Sequence, residues 1–139
     1  LKAFSTTIAI DASPAQVWGI LTAGEQWTSW NTTVSRLDGR IEPGGKVKVW
    51  VKANPGRAFA LKVVEFEAPR RMVWSGGMPF GLFKGERTYT LAPRGGGGTQ
   101  FAMTEQFTGA LAPMIGKSIP DLQPAFDEFA RCLKQRAEQ

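Results

Sequence analysis

SIPDLQPAFDEFARCLKQRA, residues Ser118 to Ala137, is the stretch on which the fold of this chain turns. Ile119, Leu122, Phe126, Phe129 and Leu133 recur at spacings of three and four, which sets five apolar side chains on one helical stripe. Asp121, Asp127, Glu128, Arg131, Lys134 and Arg136 fall outside it. Ser118 followed by Asp121 predicts a capping box, with Asp in place of the usual Glu. Acid at the start and base at the end suit the helix dipole. Pro124 limits the start. With Asp121 as the cap it sits harmlessly in the first turn, whereas a helix that began earlier would be kinked there. From Ile119 to Leu133 the stripe is about 21 Å long. A helix this one-sided needs a large apolar surface to lie on, and the preceding sequence offers a sheet.

That sheet is read from alternation and turn chemistry. Phe4 to Ile10 is a Thr- and Ile-rich first strand. Ser13 and Pro14 start a short helix, Ser13 as cap and Pro14 in the first helical position. It buries Val17, Trp18, Ile20 and Leu21 and ends near Gly24. Glu25 to Trp30 forms a second short helix carrying Trp27 and Trp30. From Thr32 onward strands alternate with Gly/Pro clusters. The expected strands are Val34 to Ile41, Lys46 to Lys52, Phe59 to Glu67, Arg71 to Ser75, Phe83 to Pro93 and Thr99 to Phe107. Gly109 to Lys117 holds a short apolar segment, Leu111, Met114 and Ile115. Strands joined by short turns pair as an antiparallel meander with one dry face. The expected fold class is therefore α+β, with about seven antiparallel strands curved over the C-terminal helix and two short helices after the first strand.

Composition narrows function mainly by exclusion. At 139 residues, 42% hydrophobic and 21% charged, the chain is expected to form a single domain over residues 1–139 with a proper core. It has no histidine, which removes His-based acid–base, nucleophilic and metal chemistry. One cysteine, Cys132, makes a zinc site and an internal disulfide untenable. No metal or cofactor is expected. No apolar run approaches the roughly 20 residues of a spanning helix, no leader is recognisable, and the expected location is cytoplasmic. A net charge of +5 and a pI of about 9.7 could attract nucleic acid, acidic headgroups or an anionic ligand. Lys46, Lys48 and Lys52 alternate with Val47, Val49 and Val51, however, as on the wet face of a strand. No basic–aromatic interleaving is present, so nucleic acid is not an expected partner. Gly95 to Gly98 lacks the Lys-Ser/Thr ending of a phosphate loop.

Over about residues 3 to 137 the chain resembles the START-related, polyketide-cyclase/dehydrase and lipid-transport proteins. Three pieces carry the resemblance. They are Ile8 to Thr22, with Ile-Asp-Ala-Ser-Pro-Ala-Gln-Val-Trp and then Leu21-Thr22, followed by Trp30; Pro69-Arg70-Arg71-Met72-Val73-Trp74; and Glu105-Gln106-Phe107-Thr108-Gly109. The resemblance implies the helix-grip fold and a cavity between the sheet and the long helix. It fixes no activity, since such proteins include lipid carriers, hormone receptors, aromatase/cyclases, hydratases and co-chaperones.

The residues supply walls for such a cavity. Phe101, Met103, Glu105 and Phe107 share one parity, as do Arg87, Tyr89 and Leu91 in the preceding strand. If the aromatic residues face the helix, Glu105 points inward too. Arg87 is its expected partner, because the two are equally distant from the hairpin centre near Gly96. The expected ligand contacts are Trp74, Arg87, Tyr89, Phe101, Met103, Glu105, Phe107, Met114, Phe126 and Phe129. Met78, Phe80 and Phe83, on an unusually apolar glycine-flanked loop, are the expected lid, with docking on Met114 and Ile115 the other reading. Trp27 and Trp30 either close one end of the cavity or form a small satellite core. Trp50 faces outward, and Cys132 is buried and inert.

The leading functional expectation is a monomeric or homodimeric binder of a small apolar or aromatic ligand. The alternatives are a cofactor-independent cyclase, dehydratase or hydratase using Glu105 and Tyr89, and a co-chaperone-like interaction module.

Overall fold

A computed structural model describes residues 3–139. The chain runs through β1 (Ala3–Ile10), α1 (Pro14–Thr22), a 3-10 turn (Gly24–Gln26) and α2 (Trp27–Trp30). Then follow β2 (Val34–Gly39), β3 (Lys46–Val51), β4 (Ala58–Glu67), β5 (Arg71–Gly77), β6 (Lys84–Pro93) and β7 (Thr99–Thr108). α3 (Ala112–Ile115) and α4 (Gln123–Ala137) complete the chain. All seven strands form one antiparallel sheet in the order β1-β7-β6-β5-β4-β3-β2. Consecutive strands are neighbours except β1, which crosses to the far side and pairs with β7. α1 and α2 occupy that crossover, as a connection between distant strands requires.

The α1 start forms as its residues dictate. The Ser13 hydroxyl accepts from the Gln16 amide at 3.2 Å and Gln16 Oε1 accepts from the Ser13 amide at 3.1 Å, a closed capping box with Pro14 in the first turn. Val17, Trp18 and Leu21 are buried.

The start of α4 corrects the expected helix. No capping box forms at Ser118, whose hydroxyl instead donates to the Ile115 carbonyl at 2.7 Å. Ile119 is extended, at φ −76° and ψ 124°, and the helix begins at Gln123. The two prolines explain this. Pro120 biases Ile119 away from the helical region, and a helix through 118–124 would set Pro124 against the carbonyl of residue 120. Starting at Gln123 leaves Pro124 in the first turn, where no hydrogen bond is lost. Asp121 Oδ1 accepts from the Gln123 amide at 3.0 Å.

The apolar face of α4 is as the spacing predicts from Phe126 onward: Phe126, Phe129, Ala130, Cys132 and Leu133 are all buried. Polar bonds fasten the helix to β1 along its length. Gln123 Nε2 donates to the Ser5 carbonyl (2.7 Å), Thr6 Oγ1 to Asp127 (2.9 Å) and Lys134 Nζ to the Ala9 carbonyl (2.9 Å).

Aromatic rings fill the core between sheet and helix. Trp27 stacks on Trp74 with centroids 5.5 Å apart, and Trp74 meets Tyr89 at 5.1 Å. Phe129 is the hub, touching Trp27 (5.3 Å), Trp30 (5.7 Å), Tyr89 (6.1 Å) and Phe101 (6.1 Å). Trp27 and Trp30 thus belong to the central core rather than to a satellite. Trp27 Nε1 donates to the Leu21 carbonyl at 2.9 Å, which satisfies its one polar atom. Trp50 lies on the other face under the Arg36 guanidinium, 4.8 Å from the ring centre.

Candidate ligand site

The inner face of β5–β7 carries charge at one place. Trp74 pairs with Arg87, Arg87 with Glu105, and Glu105 with Phe4, in one row across four strands. The register is the one that equal distance from the hairpin centre requires. Arg87 Nε donates to Glu105 Oε1 at 2.7 Å. The guanidinium also lies over the Phe126 ring, 4.7 Å from its centre, so a helix residue holds the cation from the other side. The side chains keep 25% and 15% of their surface accessible. They can therefore be reached from outside, although protein surrounds most of them. Burial is the largest single influence on the Arg87 cation and disfavours it, but the charges and hydrogen bonds of Glu105 and Tyr89 together outweigh it and the pKa is raised.

Tyr89 sits in the next row, paired with Met72 and Met103. It has no accessible surface; the Arg87 guanidinium lies near enough to pull on its hydroxyl, but no described residue accepts the hydroxyl proton. Burial pushes the phenol up to about 12, against the pull of Arg87. A raised folded-state pKa contributes stability that is fully present below the unfolded value of about 10. That contribution is lost as pH rises through about 12. Because this is the chain's one tyrosine, absorbance of the phenolate reports it without ambiguity. Its ionisation is expected near pH 12 or at alkaline unfolding, whichever comes first; a midpoint near 10 in folded protein would show the ring to be solvated.

Toward the loop-bearing end, the next inner row places Gly76 beside Gly85 and Gly85 beside Phe107. Glycine inside a strand marks close approach, and neighbouring side chains use the room here. A Cβ on Gly76 would lie 2.7 Å from Leu61 Cδ2, and one on Gly85 3.2 Å from the Phe107 ring. Leu61 and Phe107 thus lean over the two glycines beside the Arg87–Glu105 pair.

Most of the sequence-predicted contacts converge, but as packed core. Trp74, Tyr89, Phe101, Met103, Phe126 and Phe129 are each at most 2% exposed and Phe107 is 8% exposed. Met114 is a correction. It is 63% exposed, because α3 lies at the end of the sheet and turns this side chain outward. The lid also divides. Phe83 stacks on Phe107 at 5.7 Å and is part of the wall, whereas Met78 and Phe80 point to solvent at 43% and 98% exposure. The loop does dock near α3, through the Leu111 amide to the Leu82 carbonyl at 2.8 Å.

Phe4, Leu61, Gly76 and Gly85 belong to this place and were not singled out from sequence. Phe4 touches both Phe126 (6.0 Å) and Phe107 (6.4 Å). The glycines carried a signal, since Gly85 interrupts an otherwise regular strand. Phe4 and Leu61 carried none.

Two open depressions lie elsewhere. One, of about 500 Å³, crosses β2–β5 and includes Lys46, Lys48, Lys62, Ala60 and Ser75. The other, of about 220 Å³, lies among Gln16, Ile20, Trp30 and Arg136. Among the described residues no three His, Cys, Asp or Glu side chains are grouped to hold a metal ion. No described helix is long and apolar enough to cross a membrane.

A family model described as polyketide cyclase / dehydrase and lipid transport matches residues 2–138. The chain belongs to that family. No curated protein matches it significantly. Among solved structures, a hypothetical protein of Helicobacter pylori superposes with a TM-score of 0.79 at 13% identity, covering 98% of this chain and 88% of that one. A START superfamily protein of Mycobacterium smegmatis gives 0.70 at 16% identity, covering 99% and 97%. A norcoclaurine synthase point mutant of Thalictrum, solved in complex with a transition-state analogue, gives 0.71 at 10% identity, covering 98% and 93%. At such identities the likeness shows the helix-grip fold alone. Family and fold together indicate a START/polyketide-cyclase-like ligand-binding domain.

Proposed function

We propose that this domain binds a small, mainly apolar or aromatic molecule bearing one oxygen acceptor, lipid- or polyketide-like, between β5–β7 and α4. Arg87 and Tyr89 donate to that oxygen, and Glu105 completes the polar spot by holding Arg87 in place. The observation that carries the reading is the Tyr89 hydroxyl, fully buried beside the Arg87–Glu105 pair in an apolar interior, with no described residue to accept its proton. An unpaired buried donor costs free energy unless something accepts from it. A carbonyl or carboxylate oxygen meeting Tyr89 and Arg87 would supply that acceptor, while rings and methylenes lie against Trp74, Phe101, Met103, Phe126 and Phe129. Rotation of Leu61 and Phe107 away from Gly76 and Gly85 is the entry step, since these side chains occupy the space the glycines leave.

Tyr89→Phe tests this cleanly. Removing a hydroxyl whose proton has no acceptor is expected to leave Tm unchanged or raise it. Affinity for an aromatic carboxylate such as naphthoic acid, read by tryptophan fluorescence, should fall roughly tenfold, the worth of a hydrogen bond to a charged group. Unchanged affinity would refute the assignment. Native mass spectrometry of freshly purified protein gives the mass of any natural ligand.

An enzymatic reading draws on the same phenol. Held near 12, it keeps its proton at neutral pH and can polarise a substrate carbonyl in a cyclisation or dehydration, with Glu105 as the second participating group. Glu105→Gln should then abolish turnover and spare binding. Equal loss of both favours the plain binder.

A further inference from the structure

The antiparallel order places the ends of β3, β5 and β7 at one end of the sheet. Three segments therefore gather there: residues 52–57, residues 78–83 and residues 109–122. The middle one is held firmly. The Met78 amide donates to the Phe83 carbonyl at 2.8 Å, and the Leu111 amide to the Leu82 carbonyl at 2.8 Å. Gly109 sits at φ +109°, so close that a Cβ would lie 2.6 Å from the carbonyl oxygens of Gly81 and Leu82. Phe80 is thus presented on a braced turn rather than a loose one. It is 98% exposed, with Met78 (43%), Leu82 (39%) and Met114 (63%) on the same end. The Phe80 backbone is left-handed, at φ 61°, a conformation that disfavours a bulky side chain.

Charge around this apolar tip is mostly positive. Segments 52–57, 78–84 and 109–122 contain Lys52, Arg57, Lys84 and Lys117 against one acid, Asp121, whose Oδ1 accepts from the Gln123 amide. Lys84 is paired with Glu86. Lys52 and Lys117 have no ion-pair partner among the described residues.

We propose that this end docks on an anionic lipid bilayer, with Phe80 inserted, Met78, Leu82 and Met114 around it, and Lys52, Arg57, Lys84 and Lys117 meeting acidic headgroups. Apolar side chains at a tip ringed by cations match the two layers of such a surface, acyl chains below and negative headgroups above. A second copy of the chain fits poorly, because an isologous contact would set the cations against one another. The proposal does not rest on the ligand reading.

The test is flotation with phosphatidylcholine vesicles that contain, or lack, a third of phosphatidylglycerol. The protein should float with the anionic vesicles, less with neutral ones, and dissociate at high salt. Phe80→Glu and Met114→Glu, both at exposed positions and checked for unchanged Tm, should each weaken binding roughly tenfold by losing an apolar anchor and adding a repelled charge. Val64→Glu removes an exposed apolar side chain (47%) on β4, away from this end, and should bind as the parent does. Failure of the parent protein to float with anionic vesicles would overturn the proposal, as would undiminished flotation of Phe80→Glu. A concentration-dependent dimer that Phe80→Glu dissolves, without flotation, would overturn it in favour of self-association. None of these outcomes depends on whether Tyr89→Phe alters ligand affinity.

Discussion

Phe129→Ala is expected to remove roughly 3–5 kcal/mol of unfolding free energy, the range for large aromatic-to-alanine changes in a core. The upper part of that range applies, because the ring is 2% exposed and meets Trp27, Trp30, Tyr89 and Phe101 at once. Those neighbours are rigid rings on three separate elements, α2, β6 and β7, so they cannot all collapse into the vacated space. A domain of this size has a total stability of about 5–15 kcal/mol, so the variant should sit near its folding limit. Urea unfolding followed by tryptophan fluorescence measures the loss. Phe80→Ala is the matched comparison: the same chemical change at 98% exposure should move stability by no more than about 0.5 kcal/mol. A loss below about 1 kcal/mol at Phe129 would mean that α4 does not pack on the sheet through this ring.

The second large effect is electrostatic. Arg87→Met is expected to cost about 3 kcal/mol, the low end for breaking a buried pair, because Glu105 is left without its partner in an apolar row. The low end is chosen because the two side chains keep 25% and 15% of their surface accessible, so water can partly solvate the stranded carboxylate. The double variant Arg87→Met/Glu105→Leu should recover most of the loss, since it leaves no charge behind. Recovery would also locate the reason for keeping the pair. If stability does not need it, a pair aimed into an apolar interior fits the handling of a polar ligand group. A double variant as unstable as the single would instead make the pair structural, and would remove one support for the ligand reading.

The legibility of this chain differs sharply between elements. Strand register between β6 and β7 could be counted from the hairpin centre, so the Arg87–Glu105 contact was readable residue by residue. The capping of α1 was readable because Ser13, Pro14 and Gln16 interact only with one another. At the start of α4 the sequence leaves Ser118 and Asp121 open as caps, and the two prolines four residues apart decide against Ser118: the helix begins at Gln123, with Asp121 accepting from its amide and Pro124 in the first turn. The expectation of Phe80 as cover and Met114 as lining rests on hydrophobicity. Hydrophobicity fixes a preference for burial, but burial also needs a partner surface within reach, and a braced turn at the end of a sheet offers none from its own chain.

The order of strands and helices, the inward parity of β6 and β7 and the stripe of α4 from Phe126 to Leu133 follow from sequence alone, because alternation, turn chemistry and helical spacing are local. Tertiary structure alone decided that the rings of Trp27, Trp74, Tyr89 and Phe129 close on one another, that Leu61 and Phe107 lean over Gly76 and Gly85, and that Phe80 is left in the open. Each of these depends on how far apart non-neighbouring elements settle once the sheet has curved. That distance results from packing all the side chains at once, and no window of the sequence contains it.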